Sequence, residues 1–177
     1  MTPTTSFTRP TVVFAPFSAV AKKQSPATLF DEIANQIPTG YDITIVGTNR
    51  DLTKNPDFES LLEQSNVRFD DCNFEVLTSI LLEAQLVIAV DTAIMHLAVA
   101  VGVQTLCLAS AAYVGEIVPY SPEILPKNVH FIYTPMDCQG CLGNCIHPVE
   151  SAMFPCVNRI NHGEVKAKVH ELLNERK

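Results

Sequence analysis

The chain has 177 residues, 47% hydrophobic and 18% charged, with a formal net charge of −7. That length suits one domain with a real core, and that balance is globular rather than disordered. The acidic excess argues against nucleic acid or an anionic membrane surface as a partner. No apolar run reaches the length of a membrane span, and the opening MTPTTSFTRP has no hydrophobic signal core, so the cytoplasm is the expected location.

Residues 1–10 read as a flexible, Thr- and Pro-rich lead-in, and 11–177 as a single domain. TVVFA at residues 11–15 is a short buried strand, and residues 16–25 are a loop carrying Ser18, Lys22 and Lys23. Pro26 opens a helix at a position that suits proline, with Leu29, Phe30, Ile33 and Ile37 inward, and Pro38-Thr39-Gly40 ends it. DITIVG at 42–47 is the next strand. Residues 48–57 read as a polar loop, followed by a short helix over 58–64, a short edge strand over 67–69 and an amphipathic helix over 74–84.

Residues 86–108, LVIAVDTAIMHLAVAVGVQTLCL, are the most informative stretch. An apolar run stops at Asp91-Thr92; Ile94, Leu97, Ala98 and Val101 then recur at helical spacing; a second apolar run follows Gly102. That is strand, helix, strand. A further strand over 129–133, a cysteine-rich loop, and a final helix opened by Asn161 with Glu164 as its capping-box partner complete the pattern. Strands alternating with helices predict an α/β fold, a Rossmann-like parallel sheet with helices on both faces.

In an open parallel sheet, ligands bind beyond the carboxyl ends of the strands. Asp91 and Thr92 sit where free N–H groups and the helix dipole favour an anion such as phosphate, and His96, slightly more than a turn later, faces the same crevice. The plainer reading makes Asp91 or Thr92 an ordinary helix cap and His96 a satisfied core histidine.

Cys138, Cys141, Cys145 and Cys156 are spaced C-x2-C-x3-C-x10-C, with Gly140 and Gly143 between the first three. Four thiolates at short spacing suit structural Zn or a single Fe, and a [4Fe–4S] cluster is compatible. Such a metal loop spans 135–158. His147 is an alternative ligand, and disulfides or free thiols are the competing readings; Cys107 reads as a small core residue.

Together these features resemble the carboxyl-terminal domain of the family-nine glycosyltransferases, the ADP-heptose:lipopolysaccharide heptosyltransferases, over residues 11–173. The family pattern D-T-G-x-x-H-L-A-x-A is met by DTAIMHLAVA at 91–100, K-x-W-P by KQSP at 23–26, and the family's cysteine pattern by Cys138 to Cys156 followed by VNRINHGEV; a Pro-Tyr-Ser step starts at Pro119. The resemblance implies one half of a GT-B-type enzyme, the half that binds a nucleotide-sugar donor such as an ADP-heptose. It implies that Asp91, Thr92 and His96 contact donor sugar and diphosphate, that Lys23 (or Lys22) pairs with phosphate, and that Ser18 offers a hydroxyl or N–H. It places Asn49 or Asp51 near a ribose hydroxyl. Ala93 stands where the family has Gly, beside the phosphate approach, and Ser25 where it has Trp.

The acceptor domain and its catalytic base are not expected in this chain, so no catalytic residue is assigned. Transfer is then expected to need an acceptor-domain partner, and the face left open favours such a partner or a homo-oligomer. The rival is an inactive glycosyltransferase-like binding or assembly module with a structural metal. A nicotinamide enzyme is disfavoured, because no G-x-G-x-x-G follows a strand.

Overall fold

The computed structural model describes residues 9–174, so most of the expected lead-in lies outside the described residues. In chain order the strands are β1 (Thr11–Ala15), β2 (Asp42–Gly47), β3 (Val67–Asp71), β4 (Leu86–Val90), β5 (Thr105–Leu108) and β6 (Val129–Ile132). The helices are α1 (Ala27–Ala34), α2 (Asn49–Lys54), α3 (Phe74–Glu83), α4 (Ala93–Ala100), α5 (Pro155–Asn158) and α6 (His162–Asn174). The strands form one sheet in the order β3-β2-β1-β4-β5-β6, parallel at every pairing.

Alternate strand residues feed two cores, as pleating requires. Val12, Phe14, Ile43, Ile45, Leu86 and Ile88 pack with Leu29, Phe30 and Ile33 of α1 and Val165, Val169 and Leu172 of α6. Val13, Ala15, Val87, Ala89 and Cys107 pack on the other face with Leu77, Ile80 and Leu81 of α3 and Met95 and Ala98 of α4. Both faces are covered, which is why the strands read as unbroken apolar runs. The predicted Rossmann-like α/β architecture is the one observed.

The main local difference is at residues 48–57, expected as loop. Thr48 caps α2 in a reciprocal box: Asp51 N donates to Thr48 Oγ1 at 3.2 Å, and Thr48 N donates to Asp51 Oδ2 at 3.0 Å. This T-x-x-D box makes a helix from residues with no apolar stripe. A 3-10 segment, Pro56–Glu63, replaces the short helix expected just after it, burying Phe58 and Leu61. Helix α1 is shorter than expected, with Pro26 at its cap rather than inside it. Asn161 Oδ1 accepts from Glu164 N at 3.1 Å, as its sequence position implied.

Sheet order has one consequence for function. The chain runs outward through β1, β2 and β3, then crosses back to place β4 on the other side of β1. The loops after β1 and β4 therefore diverge and leave a crevice between them, the topological switch point. The β1 loop carries Ser18 to Ser25, and the β4 loop carries Asp91 and Thr92.

Candidate functional site

Lys23 and Asp91 meet at this switch point. A 3-10 turn, Ala21–Lys23, directs Lys23 inward. Its Nζ donates to the Asp91 carbonyl at 2.9 Å and stands 3.1 Å from Asp91 Oδ2. The two side chains are only 10% and 3% exposed. The ammonium also lies 4.0 Å from the centre of the Tyr113 ring, a cation–π contact. Lys22 turns the other way, over Phe154 at 5.9 Å. The structure thus puts Lys23, and not Lys22, beside Asp91.

The approach of Lys23 to Oδ2 is an ion pair without hydrogen-bond alignment. Both Asp91 carboxylate oxygens and the Thr92 hydroxyl are buried and lack hydrogen-bond partners among the described residues. Thr92 is the residue before α4, yet its side chain makes no capping bond. The plain capping role is therefore not what holds these two residues in place. Burial raises the Asp91 pKa to about 6 against the pull of the Lys23 charge. Asp91 Oδ2 is ion-paired with Lys23, while Asp91 Oδ1 and the Thr92 hydroxyl are buried beside it without a hydrogen-bond partner, so part of the cluster's bonding capacity is unspent.

His96 lies one turn along α4, half-buried, with Nδ1 2.6 Å from Tyr120 Oη. Burial, then the Lys23 charge, lowers its pKa. It is a neutral ring with one nitrogen held by Tyr120 and the other available to donate or accept. Tyr120 is itself set edge-on against Phe131, 5.7 Å between ring centres.

The remaining candidates are tied up locally. Ser18 N donates to Gln24 Oε1 at 2.8 Å, and Ser18 Oγ accepts from Val20 N. Asn49 binds Asp71 across the carboxyl ends of β2 and β3, and Asp51 is the partner in the α2 cap. Ala93 is the exposed first residue of α4 and has no left-handed backbone, so alanine there introduces no strain. Ser25 is buried and lines a cavity of about 720 Å³ beside the start of α1, with Phe58 and Met153 opposite. Neither Lys23 nor Asp91 lines it.

Cys138, Cys141 and Cys145 gather with their sulfurs within 4.8 Å of one another, those of Cys138 and Cys145 3.7 Å apart. Cys156 stands outside that gathering, buried, with Sγ 3.7 Å from Ser110 Oγ, and Cys145 packs against its cluster. Asp137, Cys138 and His147 form a second close group. No two of the six cysteines are joined by a disulfide in this structure. Gly140, Leu142 and Gly143 have φ of 77°, 51° and 89°, so the loop coils tightly around the three sulfurs. Burial and the Cys145 thiol beside it push the Cys138 pKa up to about 11. A soft cation that favours thiolate fits this donor set.

Sequence reading missed Tyr113, Tyr120 and Gln24. Tyr120 lies in the Pro-Tyr-Ser step already noted. Tyr113 and Gln24 carry no signal at all, since each acts through contacts made only by folding.

A six-stranded parallel sheet with helices on both faces is a Rossmann-like α/β fold of the GT-B glycosyltransferase kind. The chain belongs to glycosyltransferase family 9 (heptosyltransferase), whose model matches residues 2–141. No curated protein is significantly similar to it. Among solved structures it matches E. coli ADP-heptose LPS heptosyltransferase II at TM-score 0.71 and 18% identity, covering 97% of this chain and 48% of that one. A family 9 glycosyl transferase from Veillonella parvula matches at 0.68 and 20%, covering 96% and 48%. The iron-containing dodecameric glycosyltransferase TibC from enterotoxigenic E. coli matches at 0.70 and 15%, covering 97% and 47%. At these identities the likeness is one of fold. The chain spans about half the length of each of these structures.

Proposed function

We propose that this chain is the donor-binding part of a heptosyltransferase-like enzyme, taking a nucleotide sugar such as an ADP-heptose in the crevice between the β1 and β4 loops. The observation that carries the reading is the set of unpartnered oxygens on Asp91 and Thr92 beside buried Lys23. A sugar hydroxyl donates to the Asp91 carboxylate, and the Thr92 hydroxyl and the start of α4 meet the diphosphate. The Lys23 ammonium supplies positive charge where the leaving diphosphate gains negative charge. His96, held by Tyr120, bonds a further donor oxygen.

Glycosyl transfer also needs an acceptor site and a general base, which a second domain supplies, whether joined to this one or on a partner. Residues 11–177 act as one nucleotide-sugar-binding domain with the metal loop at 135–158. Cys138, Cys141 and Cys145 hold a Zn or Fe ion, and Cys156, which contacts Ser110 outside that gathering, joins as the fourth ligand by turning toward Cys145. A site closed by four sulfurs leaves no open position, so the metal is structural. An iron-containing relative of the same fold is consistent with Fe. Six unpaired thiols suit the reducing cytoplasm, and among the described residues no helix is long and apolar enough to cross a membrane.

One observation favours a second reading, an assembly module. Ile117, Ile124 and Leu125, and Leu142, Ile146 and Val149 on the cysteine loop, are exposed apolar residues of the kind that partners or further copies cover.

Calorimetry separates the two readings. ADP-, GDP- and UDP-sugars are titrated into the chain, with Asp91→Ala and Lys23→Ala as controls. Saturable binding of one nucleotide class, lost in Asp91→Ala and weakened but still measurable in Lys23→Ala, is expected. No binding by folded, metal-loaded protein overturns the donor-site reading in favour of the assembly module.

A further inference from the structure

The cysteine loop is fastened to the donor crevice at several points. Gly140 N donates to Ala111 O at 2.9 Å, and Leu142 N donates to Ala112 O at 2.8 Å. These two carbonyls belong to a 3-10 turn, Ala111–Tyr113. A Cβ at Gly143 would stand 3.8 Å from both Tyr113 Oη and Phe154 Cζ, so the loop backbone lies against that ring. The turn is also held at its start, where Ser110 Oγ accepts from Ala112 N and touches Cys156 Sγ. At the far end of the loop, Phe154 N donates to Lys22 O at 2.9 Å. The loop therefore grips the Lys23 turn from one side and presents Tyr113 to it from the other.

We infer that the cysteine loop, once it holds its metal, positions Lys23 for the donor through Tyr113, so that metal loading sets nucleotide-sugar affinity. The inference rests on the donor-site reading above. The physical reason is the backbone of residues 140–143. Gly140 and Gly143 adopt their left-handed backbone freely, but Leu142 at φ 51° is costly without an external constraint. Three facing thiols without a cation do not supply one. A metal bound by Cys138, Cys141 and Cys145 fixes the bend. The two backbone bonds then fix Ala111 and Ala112, and the Tyr113 ring stays beneath the ammonium. Lys23 is a flexible side chain, and a preset position lowers the entropy cost of meeting a phosphate. Tyr113 is a positioning residue; nothing in the argument needs it to touch the ligand.

The test compares wild type, Tyr113→Leu and Tyr113→Phe, each in the Lys23 and Lys23→Met backgrounds, by calorimetry with an ADP-sugar. Tyr113→Leu is expected to weaken binding about five- to thirty-fold, Tyr113→Phe to bind like wild type, and Tyr113→Leu to have no further effect once Lys23 is Met. Removal of the metal by a chelator is expected to reproduce the Tyr113→Leu loss. Equal losses in both backgrounds, or unchanged affinity after chelation, overturn the inference.

A ligand-free measurement keeps it separate from the donor-site reading. In NMR of 13C-lysine-labelled protein, the Tyr113 ring shifts the Lys23 Hε resonance, and chelation is expected to abolish that shift. A wild type that binds no nucleotide sugar yet loses the shift on chelation overturns the donor reading and keeps the mechanical link. A shift that survives chelation overturns the link.

Discussion

Asp91 gives the folded protein an unusual pH dependence. Its carboxyl is buried beside Lys23, and burial outweighs the cation, lifting its pKa from an ordinary 3.8 to about 6. A raised folded pKa means the folded state binds the proton more tightly than the unfolded chain does. The group's contribution to stability is therefore complete below about pH 4 and is lost as pH rises through about 6. The full difference is about 3 kcal/mol, of which about 2 kcal/mol falls between pH 4.5 and 7.

Other carboxylates work in the opposite direction. Lys166 and His162 hold Glu32 below its usual range, and Arg159 does so for Glu150, so these stabilise less as pH falls. Subtraction removes them: urea denaturation of wild type and Asp91→Asn is measured at each pH, and the difference is plotted. Stability of the wild type relative to Asp91→Asn is expected to fall by about 2 kcal/mol from pH 4.5 to 7. A flat difference refutes the reasoning, because it means that Asp91 is either solvated or fully neutralised by Lys23.

Three further outcomes are expected. Thr92→Val keeps the shape and removes a buried hydroxyl without a partner; it should leave stability unchanged or raise it by about 1 kcal/mol while weakening nucleotide-sugar binding, and a clear drop in Tm refutes this. Gly47→Ala places a Cβ 2.6 Å from Phe17 Cδ2, and that ring is set edge-on to Phe58; a loss of about 1–3 kcal/mol is expected in denaturant melts, and an unchanged midpoint contradicts the packing. Cys138→Ser should empty the chain of Zn or Fe by elemental analysis, whereas Cys72→Ser, outside the loop, should retain it; equal metal in the two argues against the loop as the ligand set.

Sequence alone determined the alternation of strands and helices, because burial on both faces writes each strand as an apolar run and each helix as a 3.6-residue stripe. It also marked Asp91, Thr92 and His96, polar groups interrupting such a run, and the cysteine spacing. It did not reveal α2, whose evidence is a four-residue cap rather than a periodic pattern. It favoured Lys23 on the K-x-W-P resemblance but kept Lys22 as a competitor, since neighbours on a 3-10 turn point apart and only the turn's seating decides which one meets Asp91. Sheet order, which opens the crevice between β1 and β4, was set by the crossover after β3. The contacts of Lys23 with Asp91 and Tyr113 join residues far apart in the chain, so no local pattern encodes them; they exist only once the sheet has brought the loops together.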